Sequence, residues 1–148
     1  MNQNNLLLIP QNILLDLEAS SKKRIFEHVA LLFENNQGIA HSAVFDSLFT
    51  REKLGSTGLG KGVAIPHGRI KGLKEALGCF VRLATPIPFD SPDGKPVSLL
   101  YALLVPEQAT EQHLQILSNL AERFADSAFR DALLECKTPE AVCELFAS

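Results

Sequence analysis

The sequence predicts a three-layer α/β domain in which a mixed β-sheet of about five strands is flanked by helices. Residues 97–105 form an almost unbroken apolar run of strand length, as expected for a strand buried on both faces. Apolar residues recur at helical spacing over residues 25–33 and 116–124. Helical and strand patterns alternate only partly, which favours a mixed sheet. With 148 residues and no internal repeat, the chain is predicted to form one domain over residues 1–148.

Composition excludes several classes of function. The formal charge is −3, so there is no basic excess to neutralise nucleic-acid phosphates. Three cysteines without a CxxC motif indicate reduced thiols rather than a disulfide framework or a zinc site. The apolar run at residues 6–9 stops at Pro10, far short of the roughly 20 residues that span a bilayer. We therefore expect a cytoplasmic protein without direct membrane insertion.

The N-terminal part of the chain is predicted to hold a leading segment and a helix. Residues 6–18 contain two short apolar runs, which indicate a short strand or helical turns. Ser20 or Ser21 can cap a helix that runs to about Asn36. Gly38 follows as the residue that ends this helix.

A second helix is predicted to lead into a glycine-rich loop. Ser42 can cap this helix, which ends near Gly55. Glycines at 55, 58, 60 and 62 form the loop, and a short strand follows that ends at residue 65. The buried face of the helix is predicted to consist of four apolar residues, namely Val44, Phe45, Leu48 and Phe49.

The C-terminal half is predicted to contain two strands followed by three helices. Prolines and a glycine mark a turn-rich loop between the strands, and Pro106 ends the second one. Thr110 can cap the next helix, and Pro139 occupies the first position of the last one. We predict strands over residues 76–85 and 97–105, and helices over residues 110–125, 127–135 and from 139 onward.

The glycine-rich loop nearly matches a nucleotide-binding P-loop. Gly55, Gly60 and Lys61 satisfy G-x4-G-K, but Gly62 stands where Ser or Thr must hold magnesium. The loop also follows a helix and enters a strand, which is the reverse of a P-loop. The dinucleotide pattern fails as well, because Val63 replaces its last glycine.

Two interpretations of this loop remain open. Closely spaced glycines let backbone N–H groups converge on a phosphate without magnesium, and the candidate residues for this are Ser56, Thr57 and Gly58. The alternative is a tight connector with no ligand. No cofactor is predicted, and the histidines lack the spacing of a metal site.

His67 is the candidate nucleophile. It stands between Pro66 and Gly68 after the short strand, so we expect its ring to be exposed to a partner. A neutral imidazole is a good nucleophile and leaving group for phosphorus, and the usual pKa of histidine keeps it mostly neutral at cellular pH. A surface histidine without a role is the alternative.

His113 and Arg51 are two further candidates. His113 lies in the first turn of the helix capped by Thr110 and is predicted to face inward, where the helix dipole attracts phosphate. A core histidine is the simpler interpretation of the same pattern. Arg51 ends the second helix and can pair with phosphoryl oxygens in a bidentate manner. The alternative for Arg51 is a solvated cation at a helix end.

These motifs resemble a known family. Residues 50–58 read TREKLGSTG and residues 62–68 read GVAIPHG. The stretches TPIPFD at 85–90, LLVP at 103–106 and QHL at 112–114 follow. Together they resemble the mannitol/fructose-type IIA domains of the bacterial phosphoenolpyruvate-dependent phosphotransferase system. Among these domains the nitrogen-regulatory branch is the most similar, and the absence of fused IIB or IIC parts suits a regulator.

The resemblance implies a phosphohistidine carrier. His67 would be the tele-phosphohistidine intermediate, charged by a small HPr-like phosphocarrier protein, with His113 beside it and Arg51 in support. The protein would regulate partner proteins by its phosphorylation state, rather than act as a self-sufficient turnover enzyme. Two other functions stay open, namely a sugar-specific IIA component that passes phosphate to a IIB protein, and a non-phosphorylated binding module.

Overall fold

A mixed six-stranded sheet forms the middle layer of the protein. A computed structural model describes residues 8–148. The sheet order is β1-β5-β6-β3-β2, and β4 also pairs with β6. Strand β6 is antiparallel to β5 and parallel to β3 and β4, so the sheet is mixed as predicted. The strands are β1 (Ile13–Leu17), β2 (Gly58–Gly60), β3 (Val63–Ala64), β4 (His67–Ile70), β5 (Leu77–Ile87) and β6 (Val97–Pro106).

Helices cover both faces of this sheet. One apolar cluster joins the first two helices to one face, and a second cluster joins the last three helices to the other. The prediction of three layers is therefore confirmed. Among residues 8–148, no helix is long and apolar enough to cross a membrane. The helices are α1 (Lys22–Gln37), α2 (His41–Leu54), α3 (Glu111–Phe124), α4 (Ser127–Glu135) and α5 (Pro139–Ala147).

Local capping explains why most helix ends were predictable. The Ser21 hydroxyl accepts a hydrogen bond from the Arg24 N–H at 3.2 Å, and Gly38 ends α1 with a φ of +70°. The Thr138 hydroxyl caps α5 in the same way, with Pro139 at the first helical position. These caps satisfy backbone groups that a helix end leaves without partners.

The predicted cap of α2 was wrong. The helix begins at His41, and Ala40 rather than Ser42 occupies the capping position. The methyl side chain of Ala40 cannot accept a hydrogen bond. The Glu34 carboxylate on α1 accepts the His41 N–H instead, at 3.0 Å. A long-range contact thus replaces the local cap. In the leading segment, a 3-10 turn at Pro10–Asn12 precedes β1, whereas residues 6 and 7 lie outside the described part.

Strand β4 is the main departure from the predicted elements. We predicted that the strand ends at residue 65 and that a polar link follows His67. Instead, β4 starts at His67, which pairs in register with Leu103 of β6. The Leu103 N–H donates to the Pro66 carbonyl at 2.9 Å. The strand exists because β6 offers it a non-local partner, which a reading of adjacent residues cannot reveal.

Candidate functional site

A cavity of about 590 Å³ opens where α2, β4 and α3 meet. His67, His113 and Arg51 all line it, so residues that the sequence proposed separately share one site. The walls are mainly apolar, with Leu103 and Leu117 among the lining residues. A concave apolar site with a few converging polar groups is typical of binding and catalytic sites.

The ring of His67 is held in one tautomer. Its Nδ1 lies 2.9 Å from the carbonyl oxygen of Ile65. A carbonyl can only accept, so Nδ1–H is the donor and Nε2 keeps its lone pair in the neutral ring. The residue is half-buried rather than fully exposed, which corrects the expectation of an exposed ring. The hydrogen bond therefore orients the His67 ring and leaves Nε2 as the nitrogen with a free lone pair.

The surroundings of His67 lower its pKa from the ordinary value of 6.5. Desolvation by burial is the largest cause, because it disfavours the charged imidazolium. The hydrogen bond to Ile65 acts in the opposite direction, the charge of Arg51 lowers the pKa, and the charge of Glu52 raises it. The net effect keeps the imidazole neutral at neutral pH.

His113 is fixed by the start of α3. It is the third residue of the helix, and its Nδ1 accepts the Thr110 backbone N–H at 3.1 Å in a capping box. Because Nδ1 is the acceptor, the neutral ring carries its proton on Nε2. His113 thus has a hydrogen-bond donor available while it lines the same cavity as His67.

Arg51 lies in the last turn of α2 and lines the same cavity. Its Nη1 donates to the carbonyl oxygen of Gly55 at 2.9 Å, which ties the side chain to the start of the glycine-rich loop. A guanidinium has five N–H donors, so this bond leaves capacity for an anion. Arg51 can therefore supply positive charge to a group on His67.

The glycine-rich loop is held mainly by internal hydrogen bonds. The N–H and hydroxyl of Thr57 both donate to the buried carboxylate of Glu52, which also pairs with Lys22 at 2.9 Å. The Gly58 N–H donates to the Ser56 hydroxyl at 3.0 Å. Two loop amides thus have partners within the protein, and the geometry lends no support to a cradle of free amides there. A smaller pocket of about 300 Å³ is instead lined by Ser56, Thr57 and Gly58, together with Arg51 and His67.

Several residues that line the cavity were not predicted as site residues. Arg69 follows His67 by two positions in β4, and alternation along a strand puts both side chains on the same face. Prediction of β4 as a strand would have identified it. Asp46, Ser47 and Thr50 of α2 also line the cavity, and helical spacing from Arg51 was the available signal.

Comparison with known proteins identifies the family. The family model described as "Phosphoenolpyruvate-dependent sugar phosphotransferase system, EIIA 2" matches residues 6–148. A nitrogen regulatory protein of Pseudomonas aeruginosa is 40% identical over 140 residues, covering 94% of this chain and 91% of that protein. A nitrogen regulatory protein of Klebsiella oxytoca is 43% identical over 130 residues, covering 87% of this chain and 80% of the relative.

A solved structure agrees with this assignment. The nitrogen regulatory protein IIA-Ntr of Neisseria meningitidis superposes with a TM-score of 0.91 at 51% identity. The match covers 96% of this chain and 97% of that one. The resemblance drawn from the TREKLGSTG and IPHG motifs is thereby confirmed. The chain belongs to the EIIA 2 family of the phosphoenolpyruvate-dependent phosphotransferase system, and its similarity extends to the nitrogen regulatory proteins of that family.

Proposed function

We propose that the protein is a phosphohistidine carrier and regulator of the nitrogen-related phosphotransferase system. His67 accepts a phosphoryl group on Nε2 from an HPr-like phosphocarrier. The observation that carries this proposal is the hydrogen bond of His67 Nδ1 to the Ile65 carbonyl at 2.9 Å, inside a cavity shared with Arg51 and His113. The hydrogen bond leaves Nε2 with its lone pair as the nucleophile, and Arg51 and His113 add a positive group and a donor to the same cavity.

The chemistry is an in-line transfer between two imidazoles. The lone pair on Nε2 of His67 attacks the phosphorus of the donor's phosphohistidine. The new N–P bond forms as the donor's P–N bond breaks, and the bonding pair returns to the donor imidazole. The attacking ring becomes cationic, and the Ile65 carbonyl stabilises that charge through Nδ1–H. No proton has to leave His67 before the attack, because its lowered pKa keeps the ring neutral.

Arg51 and His113 assist the transfer by stabilising charge on the phosphoryl oxygens. The guanidinium of Arg51 is the cationic partner, since phosphoryl transfer depends on positioned positive charge. The Nε2–H of His113 is a neutral donor from the start of α3. Ser56, Thr57 and Gly58 shape the floor beside them and are assigned a secondary role.

Regulation follows from the charge that phosphorylation adds. A phosphoryl group brings about −1.5 to −2 charges to the cavity mouth, which alters the surface that a target protein meets. The names of the relatives favour a regulatory role for this chain over sugar uptake. The free thiols Cys79, Cys136 and Cys143 suit the reducing cytoplasm, which we propose as the compartment.

The test is reconstitution with phosphoenolpyruvate and the two upstream phosphotransferase proteins. We expect an acid-labile phosphate on the protein, and none on His67→Ala. His28→Ala is the matched control, because His28 is exposed on α1 and should label normally. Labelling that persists in His67→Ala would overturn the site, and an unlabelled wild-type protein would overturn the carrier function. Transfer of the label to a IIB protein and then to a sugar would favour sugar uptake instead.

A further inference from the structure

Helix α2 packs tightly against strand β4 at Gly68. A Cβ atom at this glycine would overlap the hydroxyl of Ser47, and it would lie 3.0 Å from the Ser47 Cβ and 3.1 Å from its carbonyl carbon. Two of these three atoms cannot turn away, since the carbonyl carbon belongs to the helix backbone and Cβ is fixed to it. A side chain at this position therefore fits only if the helix or the strand shifts.

The backbone conformation at position 68 does not require a glycine. Six glycines of the described chain have a positive φ, and Gly68 is not among them. Any residue could adopt its extended conformation within β4. The contact with Ser47 is therefore the reason that a side chain is excluded here.

A hydrogen bond also connects α2 to β4 next to Gly68. The Ser47 hydroxyl donates to the carbonyl oxygen of Arg69 at 2.8 Å. This links the helix to the strand directly beside Gly68. The packing contact limits how close α2 can come, and the hydrogen bond limits how far it can move away.

The two contacts between Ser47 and β4 lie close in sequence to His67 and Arg51. Gly68 follows His67 in β4, and Ser47 precedes Arg51 by four residues in α2. Residues four apart lie on the same face of a helix, one turn from each other. The separation between the Arg51 guanidinium and the His67 ring thus depends on the seating of α2 against β4.

We propose that Gly68 and Ser47 are positioning residues that set the distance between Arg51 and His67 for phosphoryl transfer. The inference rests on the proposed function, because it concerns the rate of that transfer. Neither residue needs to touch the phosphoryl group. A displacement of about 1 Å in a catalytic group can cost roughly 100-fold in rate. We expect the methyl group of Gly68→Ala to push α2 away from β4 by a few tenths of an ångström. This displacement should slow the phosphoryl transfer step.

The experiment measures phosphoryl transfer from the phosphorylated donor to Gly68→Ala at varied donor concentration. We expect the saturating rate to fall about 10-fold, and the half-saturating donor concentration to stay within about twofold, because the displaced group acts in the transition state. The exposed Lys71→Ala, also near β4, is the control and should keep the wild-type rate. A Gly68→Ala protein that transfers at the wild-type rate would overturn the inference.

A second substitution tests whether crowding is the cause. Ser47→Gly in the Gly68→Ala background removes the hydroxyl and Cβ that the new methyl group meets. We expect it to recover about threefold of the 10-fold loss, because crowding is relieved while the hydrogen bond to the Arg69 carbonyl stays absent. Glycine also lowers the stability of the helix by about 1 kcal/mol relative to alanine. If each substitution only disturbed the fold, the double variant would transfer phosphate more slowly than Gly68→Ala. A folded double variant as slow as the single one would count against the proposal.

A third variant keeps the inference testable if Gly68→Ala does not fold. Ser47→Ala removes the hydrogen bond to the Arg69 carbonyl without adding bulk. We expect a fall of about threefold in the saturating rate, with an unchanged half-saturating concentration. A wild-type rate in this variant would overturn the role of Ser47. Failure of the wild-type protein to accept phosphate would overturn the proposed function, which is a different result from equal rates in all variants.

Discussion

At the scale of single residues, Arg51 has two separable effects on His67. It lowers the pKa of the imidazole, and in the proposed transfer it neutralises charge on the phosphoryl group. We predict that Arg51→Ala raises the pKa of His67, because a cation that opposes protonation is removed. The rate of phosphoryl acceptance should fall about 100-fold, as for the loss of one transition-state partner. Titration of the His67 ring by NMR and the transfer rate measure the two effects.

The pH dependence of phosphoryl acceptance should follow the protonation of His67. Acceptance requires the neutral ring, and the pKa of His67 lies below 6.5, so the wild-type rate should fall only as pH drops below that value. In Arg51→Ala the fall should begin at higher pH. Lys53→Ala is the control, because Lys53 is exposed and is not among the causes of the shift. Equal pKa values for His67 in Arg51→Ala and the wild type would contradict the electrostatic role.

At the scale of elements, the start of α3 couples helix stability to the site. His113 accepts the Thr110 N–H as the third residue of a capping box, a position where Gln also serves. We predict that His113→Gln keeps the free energy of unfolding close to the wild-type value, whereas His113→Ala loses about 1 kcal/mol. Both variants should accept phosphate more slowly, because each lacks the imidazole N–H. Urea unfolding and the transfer rate separate the cap from the chemistry.

Comparison of His113→Gln with His113→Ala separates the capping role of His113 from its role in phosphoryl transfer. If His113 served only the cap, His113→Gln would transfer phosphate like the wild type. If it served only the chemistry, His113→Ala would unfold at the wild-type urea concentration. The predicted pattern is a stable but slow His113→Gln beside a less stable and slow His113→Ala.

The elements also explain what the sequence could predict and what it could not. Helices α1, α3, α4 and α5 were predicted within a few residues, because their periodicity and their caps are local properties. The start of α2 was wrong because Glu34, which is distant in sequence, supplies the acceptor. Strand β4 was missed because its hydrogen-bond partner is β6. Local sequence patterns therefore predict most helices and strands. Contacts between distant elements determine the start of α2 and the existence of β4, which these patterns do not predict.

The same distinction applies to the site. His67 and Arg51 were identifiable because they flank a conspicuous glycine-rich loop. The position of His113 in the same cavity depends on how α3 packs against the sheet, which no local pattern encodes. Arg69 was missed together with β4. The buried carboxylate of Glu52, which accepts two hydrogen bonds from Thr57, depends on the fold of the whole loop.

At the scale of the whole molecule, one buried arginine joins the sheet to the C-terminal layer. Arg82 of β5 is 8% exposed. Its guanidinium forms a two-point ion pair with Asp16 of β1, at 3.1 and 3.2 Å. It also donates to the carbonyl oxygens of Leu133 and Cys136, at the end of α4. A helix end leaves carbonyls without intrahelical partners, and Arg82 supplies a charged donor to two of them. The Leu133 carbonyl also accepts the Cys136 N–H at 3.4 Å.

Removal of this arginine should therefore destabilise the fold without touching the site. We predict that Arg82→Met loses about 3 kcal/mol of unfolding free energy, because the carbonyls of Leu133 and Cys136 lose a charged donor. For a domain of this size the melting temperature should fall by about 6–12 °C. Asp16→Asn is the matched control and should lose less than about 1 kcal/mol, since the Asp16 side chain is 68% exposed. Urea unfolding measures both losses. Phosphoryl acceptance by folded Arg82→Met should stay at the wild-type rate, and a large fall in that rate would mean that the C-terminal layer also controls the cavity.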